Sequence, residues 1–261
     1  MIHATAVVHP TAELADDVEV GPYVVIGPHV KIGRGTTIGA HTVIESWTEM
    51  GEENAISHMA SIGAPPQDLK YKGEETWLKI GSRNIIREFS SLHRATTASD
   101  RVTRIGDNNM FMAYSHVAHD CRVGSNIVMA NCATLAGHVT IEDFVIFGGL
   151  TAVHQFTRVG AHVMVGGGTL IGTDVPPYTI ATGGDRRDAQ LRGLNLIGLK
   201  RRGFSEESIS SLKQAYKILV LSQLKLADAL VKIKNEVPQT PEVKNFLEFI
   251  EKPSQRGICR R

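Results

Sequence analysis

A chain of 261 residues that is 42% hydrophobic, with 28 Lys and Arg set against 27 Asp and Glu, can bury a sizeable core but has no overall field to attract nucleic acid or an anionic membrane. Disorder and general polyanion binding are thereby excluded, and any charged partner has to be met by a local patch. Three cysteines, Cys121, Cys132 and Cys259, lack C-x-x-C spacing; an odd number so placed points to a reducing compartment, with the cytoplasm as the expected location.

From the N-terminus, Met1 to Thr5 has no charged start leading into an apolar run, and no stretch reaches about 18 apolar residues, so neither an export signal nor a transmembrane segment is expected. The chain is periodic almost from its first residue. Ile2, Val8, Leu14, Val20, Ile26, Ile32, Ile38, Ile44, Met50, Ile56 and Ile62 recur every sixth position, and the register resumes at Ile80, Ile86 and Leu92. A second run, shifted by one residue, extends from Ile105 and Phe111 to Val165 and Ile171. A helical stripe needs a period near 3.6 and an alternating strand a period of two. A period of six describes a triangular solenoid of parallel strands, in which three hexads make one coil and residues 18 apart lie above one another. Small residues after the periodic position, such as Gly21, Gly33, Gly39 and Gly124, are expected at the tight corners. Roughly nine coils, stacked at about 4.8 Å each, make a prism about 40 Å long. Residues 63–79 and 93–104 break the register and read as loops expelled from it. Such loops on a rigid scaffold are frequent homes for substrate contacts, and equally they are tolerated insertions.

After Asp174-Val175-Pro176-Pro177-Tyr178 the hexads stop and Leu, Lys, Glu and Ala take over. Ser205 followed by two glutamates marks a helix start, with Ile209, Leu212, Ala215, Tyr216, Leu219 and Val220 as its stripe. A second helix is predicted over about 223–236, and Thr240-Pro241 opens a third. The expected division is a solenoid over 1–185 and a helical domain over 186–261.

Five of the eleven histidines, His116, His119, His138, His154 and His162, fall in the second run. Spacing by 18 puts His119, Gly137 and Gln155 in one column, with Asp120 on His138 and His154 beside Gln155. An imidazole of ordinary pKa, about 6.5, can take a proton from a hydroxyl at neutral pH, which makes His119 the general-base candidate. Asp120 would favour its protonated form. Gly137 has no side chain to shield its N–H from an oxyanion. For His138 and His162 the plain alternative is a stacked or hydrogen-bonded coil residue. Three histidines shared between copies of a hexapeptide prism also resemble the zinc site of gamma-class carbonic anhydrases, and imidazole binds zinc well. The extra polar groups, the two loops and the helical cap argue against that reading. A non-catalytic scaffold explains the repeat but leaves the histidine corner unexplained. Gly149 and Gly167, also 18 apart, read either as the floor of a groove or as relief of crowding.

Longer strings carry more. His116-Val117-Ala118-His119-Asp120-Cys121, Leu135-Ala136-Gly137-His138-Val139, Thr151-Ala152-Val153-His154-Gln155-Phe156, the Asp174 to Tyr178 string and Gly198-Leu199-Lys200-Arg201-Arg202-Gly203-Phe204 resemble, over the whole chain, the acyl-carrier-protein:UDP-N-acetylglucosamine O-acyltransferases of lipid A synthesis. The resemblance implies a left-handed parallel β-helix, a homotrimer with sites between subunits, and the first step of lipid A biosynthesis. In that step a 3-hydroxyacyl chain passes from acyl carrier protein to the sugar 3-hydroxyl. No metal or cofactor is implied, because the donor carries its own phosphopantetheine thioester. His119 then corresponds to the general base and Gly137 to an oxyanion donor. Gln67, Asp68 and Lys70 match the sugar-contacting loop, and His116, His138, His154 and Gln155 match residues lining the site. Asn195 and Arg201 match contacts to the nucleotide, and Gly167 the position that ends the acyl groove. Ile197 departs from members that carry a glutamate there. The related N-acyltransferase, whose acceptor is an amine, is the nearest alternative; the absence of a large N-terminal domain and the motif around Lys200-Arg201-Arg202 favour the O-acyltransferase. The same basic run is the expected docking patch for an acidic carrier protein.

Overall fold

The computed structural model describes residues 1–183 and 189–260. Among them, successive coils contribute one short strand to each of three sheets, of nine, eight and ten strands. Pairing is parallel in the expected step of 18, as in Val7 with Val25 and Val8 with Ile26. The inward residue of each hexad is buried: Val20, Ile26, Ile38, Ile44, Ile56 and Ile62 are at most 3% exposed, and Phe111, Leu135, Phe147 and Val165 are fully buried. Its neighbour faces out. The column fades only at the N-terminal coil, where Ile2 is 52% exposed and Val8 and Leu14 are half-buried.

Two residues before several of the inward residues lies a small polar one that the period of six does not announce. Thr36, Thr42, Asn54, Asn84, Asn109 and Ser115 are all buried. They are satisfied along the axis: Asn54 Oδ1 accepts from Asn84 N at 2.9 Å, Asn84 Oδ1 from Asn109 N at 2.9 Å, and Asn109 Oδ1 from Ile127 N at 2.7 Å. The desolvation of each buried amide is thus offset by the next coil's backbone.

The glycines do another job than the one expected. Left-handed corner backbone is supplied mostly by side-chain-bearing residues such as Tyr23, His41, Met59 and Phe144, with φ near +60°. Gly39 is needed because a Cβ there would lie 2.5 Å from the backbone nitrogen of His58 in the next coil. Coil-on-coil crowding, rather than the turn itself, excludes a side chain.

Both insertions are shorter than the broken register suggested. Strands Ser61–Ala64 and Trp77–Ile80 bracket the first and Ser91–His93 and Val102–Ile105 the second, leaving 65–76 and 94–101 outside. Leu78 and Thr103 are fully buried although they lie off the six-residue spacing, so the wall closes sooner. Ile62 pairs directly with Leu92 and Leu92 with Val117, so both excursions leave the stack intact.

An antiparallel hairpin, Thr179–Gly183 with Ala189–Leu194, ends the prism. The expected division at 185/186 lies outside the described residues. Four helices come next: α1 (Leu196–Arg201), α2 (Glu206–Tyr216), α3 (Leu226–Glu236) and α4 (Pro241–Glu251). Ser205 and Thr240 cap α2 and α4 through their side chains, as expected. A π-helical turn, Lys217–Leu221, extends α2, and α3 starts three residues later than predicted because Lys225 is extended. Helix α1, six residues with a glycine inside, was not predicted. The chain then returns to the prism: Asp174 N donates to Gly257 O and Cys259 N to Asp174 O, both at 2.8 Å, adding a last rung.

Candidate active site

Where the nine-stranded sheet passes into the eight-stranded one, three successive coils turn through 118–121, 136–139 and 154–157. The 18-residue stacking expected from sequence is found here: His138 N donates to His119 O at 3.0 Å and Phe156 N to Gly137 O at 3.2 Å. Asp120, His138 and Phe156 take the left-handed conformation, with φ of 62°, 62° and 65°. Since corners throughout the prism do so, this strain belongs to the fold and not to the site.

His119 lies flat over Gly137. A Cβ on that glycine would come within 2.5 Å of the ring's Cε1 and 2.8 Å of Nε2, so only glycine admits the ring in this pose. The other edge of the imidazole is fixed, with Nδ1 2.8 Å from Asp120 Oδ2. A carboxylate only accepts, so Nδ1 bears the proton and the lone pair sits on Nε2. Among the described residues, Nε2 meets no hydrogen-bond partner, and neither does the Gly137 N–H. His138 packs edge-on to His119 at 5.3 Å, stacks on Phe156 at 4.6 Å, and holds Nε2 3.6 Å from Asp120.

Asp120 is 6% exposed. Burial alone would raise its carboxyl; hydrogen bonds from His119, Ser99 and Thr96 outweigh that and hold it at about 2. His138 is lowered, chiefly by burial and then by His119, while Asp120 and Asp68 pull the other way. His116 is lowered by burial and by His119, and its Nδ1 meets Ser91 Oγ at 2.7 Å. Beside it, at 4.8 Å, stands His93, buried and lowered to about 4, first by burial and then by His116, His119 and Arg94.

Both insertions leave from this same corner. The first carries Gln67, Asp68 and Lys70; Gln67 and Lys70 are exposed, and Asp68, half-buried, accepts the Lys70 N–H at 2.9 Å. Its base is anchored by Arg94, which lies over the rings of Trp47 and Tyr71 and donates to Gly63 O at 2.8 Å. One coil above Gly137, His154 and Gln155 are exposed, and the returning C-terminal segment reaches them. Arg256 donates Nε to Gln155 O at 2.8 Å and Nη2 to the His154 ring.

Other expected site residues lie elsewhere on the prism. Asn195 caps α1 and donates Nδ2 to His162 O at 3.0 Å, at the corner between the eight-stranded sheet and the ten-stranded one. His162 is stacked between Phe144 and Tyr178 at 4.8 and 5.7 Å and lowered to about 4, by burial first and Arg202 second, which fits the plain alternative of a packed coil residue. Arg201 is exposed at the end of α1, beside an Arg202 laid over Phe144. Gly167 is at the remaining corner, in an open groove of about 710 Å³ with Leu150, Gly166, Leu170 and Thr182.

One copy of the chain therefore gathers His119, Asp120, Gly137 and His138, sets Asp68, His116, His154 and Gln155 around them, and places Asn195, Arg201 and Gly167 at other corners. Sequence reasoning missed His93, Thr96, Ser99 and Arg256. All four lie on chain without the six-residue period, His93 directly after Leu92 that ends the first run, and none had a signal. His119, Asp120 and His138 offer ligand atoms within 4.8 Å of one another. Asp120, however, already receives His119, Ser99 and both donors of Thr96, which leaves its oxygens little capacity for a cation.

Comparison with known proteins agrees along the chain. A family model described as Udp N-acetylglucosamine O-acyltransferase, domain 2, matches residues 174–259, and the bacterial transferase hexapeptide model matches 11–46 and 103–137. The acyl-[acyl-carrier-protein]–UDP-N-acetylglucosamine O-acyltransferase of Trichlorobacter lovleyi is 63% identical over 209 residues, 80% of each chain. Among solved structures, LpxA from Acinetobacter baumannii superposes with a TM-score of 0.95 at 45% identity over 99% of both chains. The UDP-N-acetylglucosamine acyltransferase of Francisella novicida gives 0.97 at 40% identity, covering 100% of this chain and 94% of that one. The fold is the left-handed parallel β-helix with a short C-terminal helical region.

Proposed function

Because this chain belongs to the family of acyl-[acyl-carrier-protein]–UDP-N-acetylglucosamine O-acyltransferases, we propose that His119 is the general base of its acyl transfer and that no metal takes part. The observation that carries the reading is the His119 ring lying on Gly137, with Nδ1 held by Asp120 and Nε2 left free. In that tautomer Nε2 takes the proton from the sugar 3-hydroxyl of UDP-N-acetylglucosamine as the oxygen attacks the thioester carbonyl of a 3-hydroxyacyl carrier protein. Asp120 stabilises the imidazolium that forms, in the manner of a triad carboxylate. The Gly137 N–H donates to the tetrahedral oxyanion. Collapse of the intermediate breaks the C–S bond, and the phosphopantetheine thiolate takes back the proton from His119. No acyl-enzyme is needed, and the donor's pantetheine arm supplies the only cofactor chemistry.

The same reading includes a homotrimer. Asn195, Arg201 and Gly167 stand at corners other than that of His119, so a site needing all of them is complete only between copies. Gln67, Asp68 and Lys70 would meet the sugar, with His116, His138, His154 and Gln155 around it. Among the described residues no helix is long and apolar enough to cross a membrane. Cytoplasmic location and the first step of lipid A biosynthesis are carried over from the family.

The test is product identification by mass after incubation with UDP-N-acetylglucosamine and a set of 3-hydroxyacyl carrier proteins, with and without exhaustive chelation. A 3-O-acyl product formed equally in both is expected. His119→Ala should lower turnover by about 100- to 10,000-fold while leaving the fold intact. A folded variant with near-normal turnover would remove His119 from the role, and turnover abolished by chelation and restored by zinc would remove the metal-free mechanism.

A further inference from the structure

The second insertion, 94–101, supplies no group to the transfer proposed above, yet it folds back onto the one carboxylate that the transfer uses. Thr96 gives Asp120 Oδ2 its N–H at 3.1 Å and its hydroxyl at 2.7 Å, and the Ser99 hydroxyl donates to Oδ1. Thr103 Oγ1 accepts the Asp120 N–H at 2.8 Å, which fixes the backbone from below. The residue after Ser99 is tied down as well: Asp100 Oδ2 is shared by Arg104 at 3.1 Å and Arg122 at 2.9 Å, on successive coils of the eight-stranded sheet.

We infer that the insertion is a positioning clamp, in which Thr96 and Ser99 hold Asp120 with Oδ2 facing His119 Nδ1, while Asp100, through Arg104 and Arg122, holds Ser99. This rests on His119 being the base. A carboxylate accepts about four hydrogen bonds and turns freely if left to water. Here every donor except His119 comes from the insertion, so the rotamer is set by residues that touch neither substrate. Sharing the charge among these donors also moderates its pull on the imidazolium. A lone carboxylate at that distance would favour the imidazolium more strongly. The other titratable and charged groups facing His119 are His93, His116 and His138, with Arg94 behind His93 and Asp68 beside His138. Substitution of Thr96 or Ser99 leaves all of them in place.

Ser99→Ala, Thr96→Val, Asp100→Asn and His119→Ala, made in the full chain, test the clamp in the transfer assay. Loss of one charge-assisted hydrogen bond is expected to lower kcat about tenfold in Ser99→Ala and in Thr96→Val, with KM for both substrates unchanged. The acid limb of kcat/KM moves to higher pH, because Asp120 then bears more fully on His119. Ser99→Thr and Thr96→Ser restore both. Asp100→Asn, which removes only exposed ion pairs, changes kcat by about threefold at most. Unchanged kcat and acid limb in folded Ser99→Ala and Thr96→Val, beside an inactive His119→Ala, would overturn the clamp alone. A rise in KM at constant kcat would overturn it too, by making the insertion a substrate-binding loop. An active His119→Ala would remove the base and the clamp together.

Discussion

A single missing methyl group decides how close His119 comes to the backbone of Gly137. Gly137→Ala puts a Cβ where the ring now lies, 2.5 Å from Cε1, so the imidazole has to swing away from Asp120 or off the corner. Gly137 is not among the glycines with positive φ, so alanine fits the backbone there. Turnover should fall at least 100-fold with little change in melting temperature; an active Gly137→Ala enzyme would show that the ring need not lie flat. Acid stability is a second prediction at this scale. His93 and His162 are held near 4, mainly by burial, against about 6.5 in an unfolded chain. A depressed histidine leaves stability whole above pH 6.5 and erodes it as pH falls toward 4, because only the unfolded chain takes up the protons. The pair should cost on the order of a few kcal/mol by pH 4. Asp120, held near 2, adds its loss only below about 4. Melting curves from pH 8 to 3 check both windows, and a flat profile between pH 7 and 4.5 would contradict the first. Much of this site was legible in sequence, since a stack of equal coils turns spacing into proximity and His119, Asp120, Gly137 and His138 fall into columns by counting. Ser99 and Arg256 were not: one lies in a stretch with no period, and the other returns from about a hundred residues away.

At the scale of elements, periodic or capped segments could be read and short ones could not. The strands and the starts of α2 and α4 are announced by six-residue spacing, Ser205 and Thr240-Pro241. Helix α1 has only six residues, and its cap, Asn195, is a weak signal without a stripe behind it. The corner loop at Gly166-Gly167-Gly168 carries a prediction of its own. A Cβ on Gly167 would sit 3.2 Å from Gly149 O, which a shift of a few tenths of an ångström accommodates. Gly167→Met should therefore fold and fill the groove lined by Leu150 and Leu170. If that groove takes the acyl tail, wild type prefers long 3-hydroxyacyl donors, each buried methylene stabilising binding by about 0.8 kcal/mol, and the variant prefers shorter ones. Competition between donors of different length reads this directly; an unchanged profile would place the end of the groove at other side chains.

For the whole molecule, a formal charge of +1 gives an acidic carrier protein no general attraction, so docking has to use a local patch. Lys200 and Arg201 are exposed at the end of α1, whereas Arg202 is engaged with Phe144. Lys200→Glu, or added salt, should raise KM for the carrier several-fold and leave KM for the sugar nucleotide unchanged; a salt-independent KM would exclude this patch. The stacking of coils has a further consequence. Because pairing repeats every 18 residues, the prism behaves like text in a fixed reading frame. Deleting one residue from a wall would turn every later aliphatic outward until the frame recovered, much as a frameshift scrambles codons. The extra residues at the His119 corner are harmless by comparison, since they fall at a punctuation mark between strands. Loss of a whole coil would leave packing intact and bring two distant side chains one storey, about 4.8 Å, nearer. Separations along the axis are thus inherited in whole storeys, while loops at a corner are free to be edited one letter at a time.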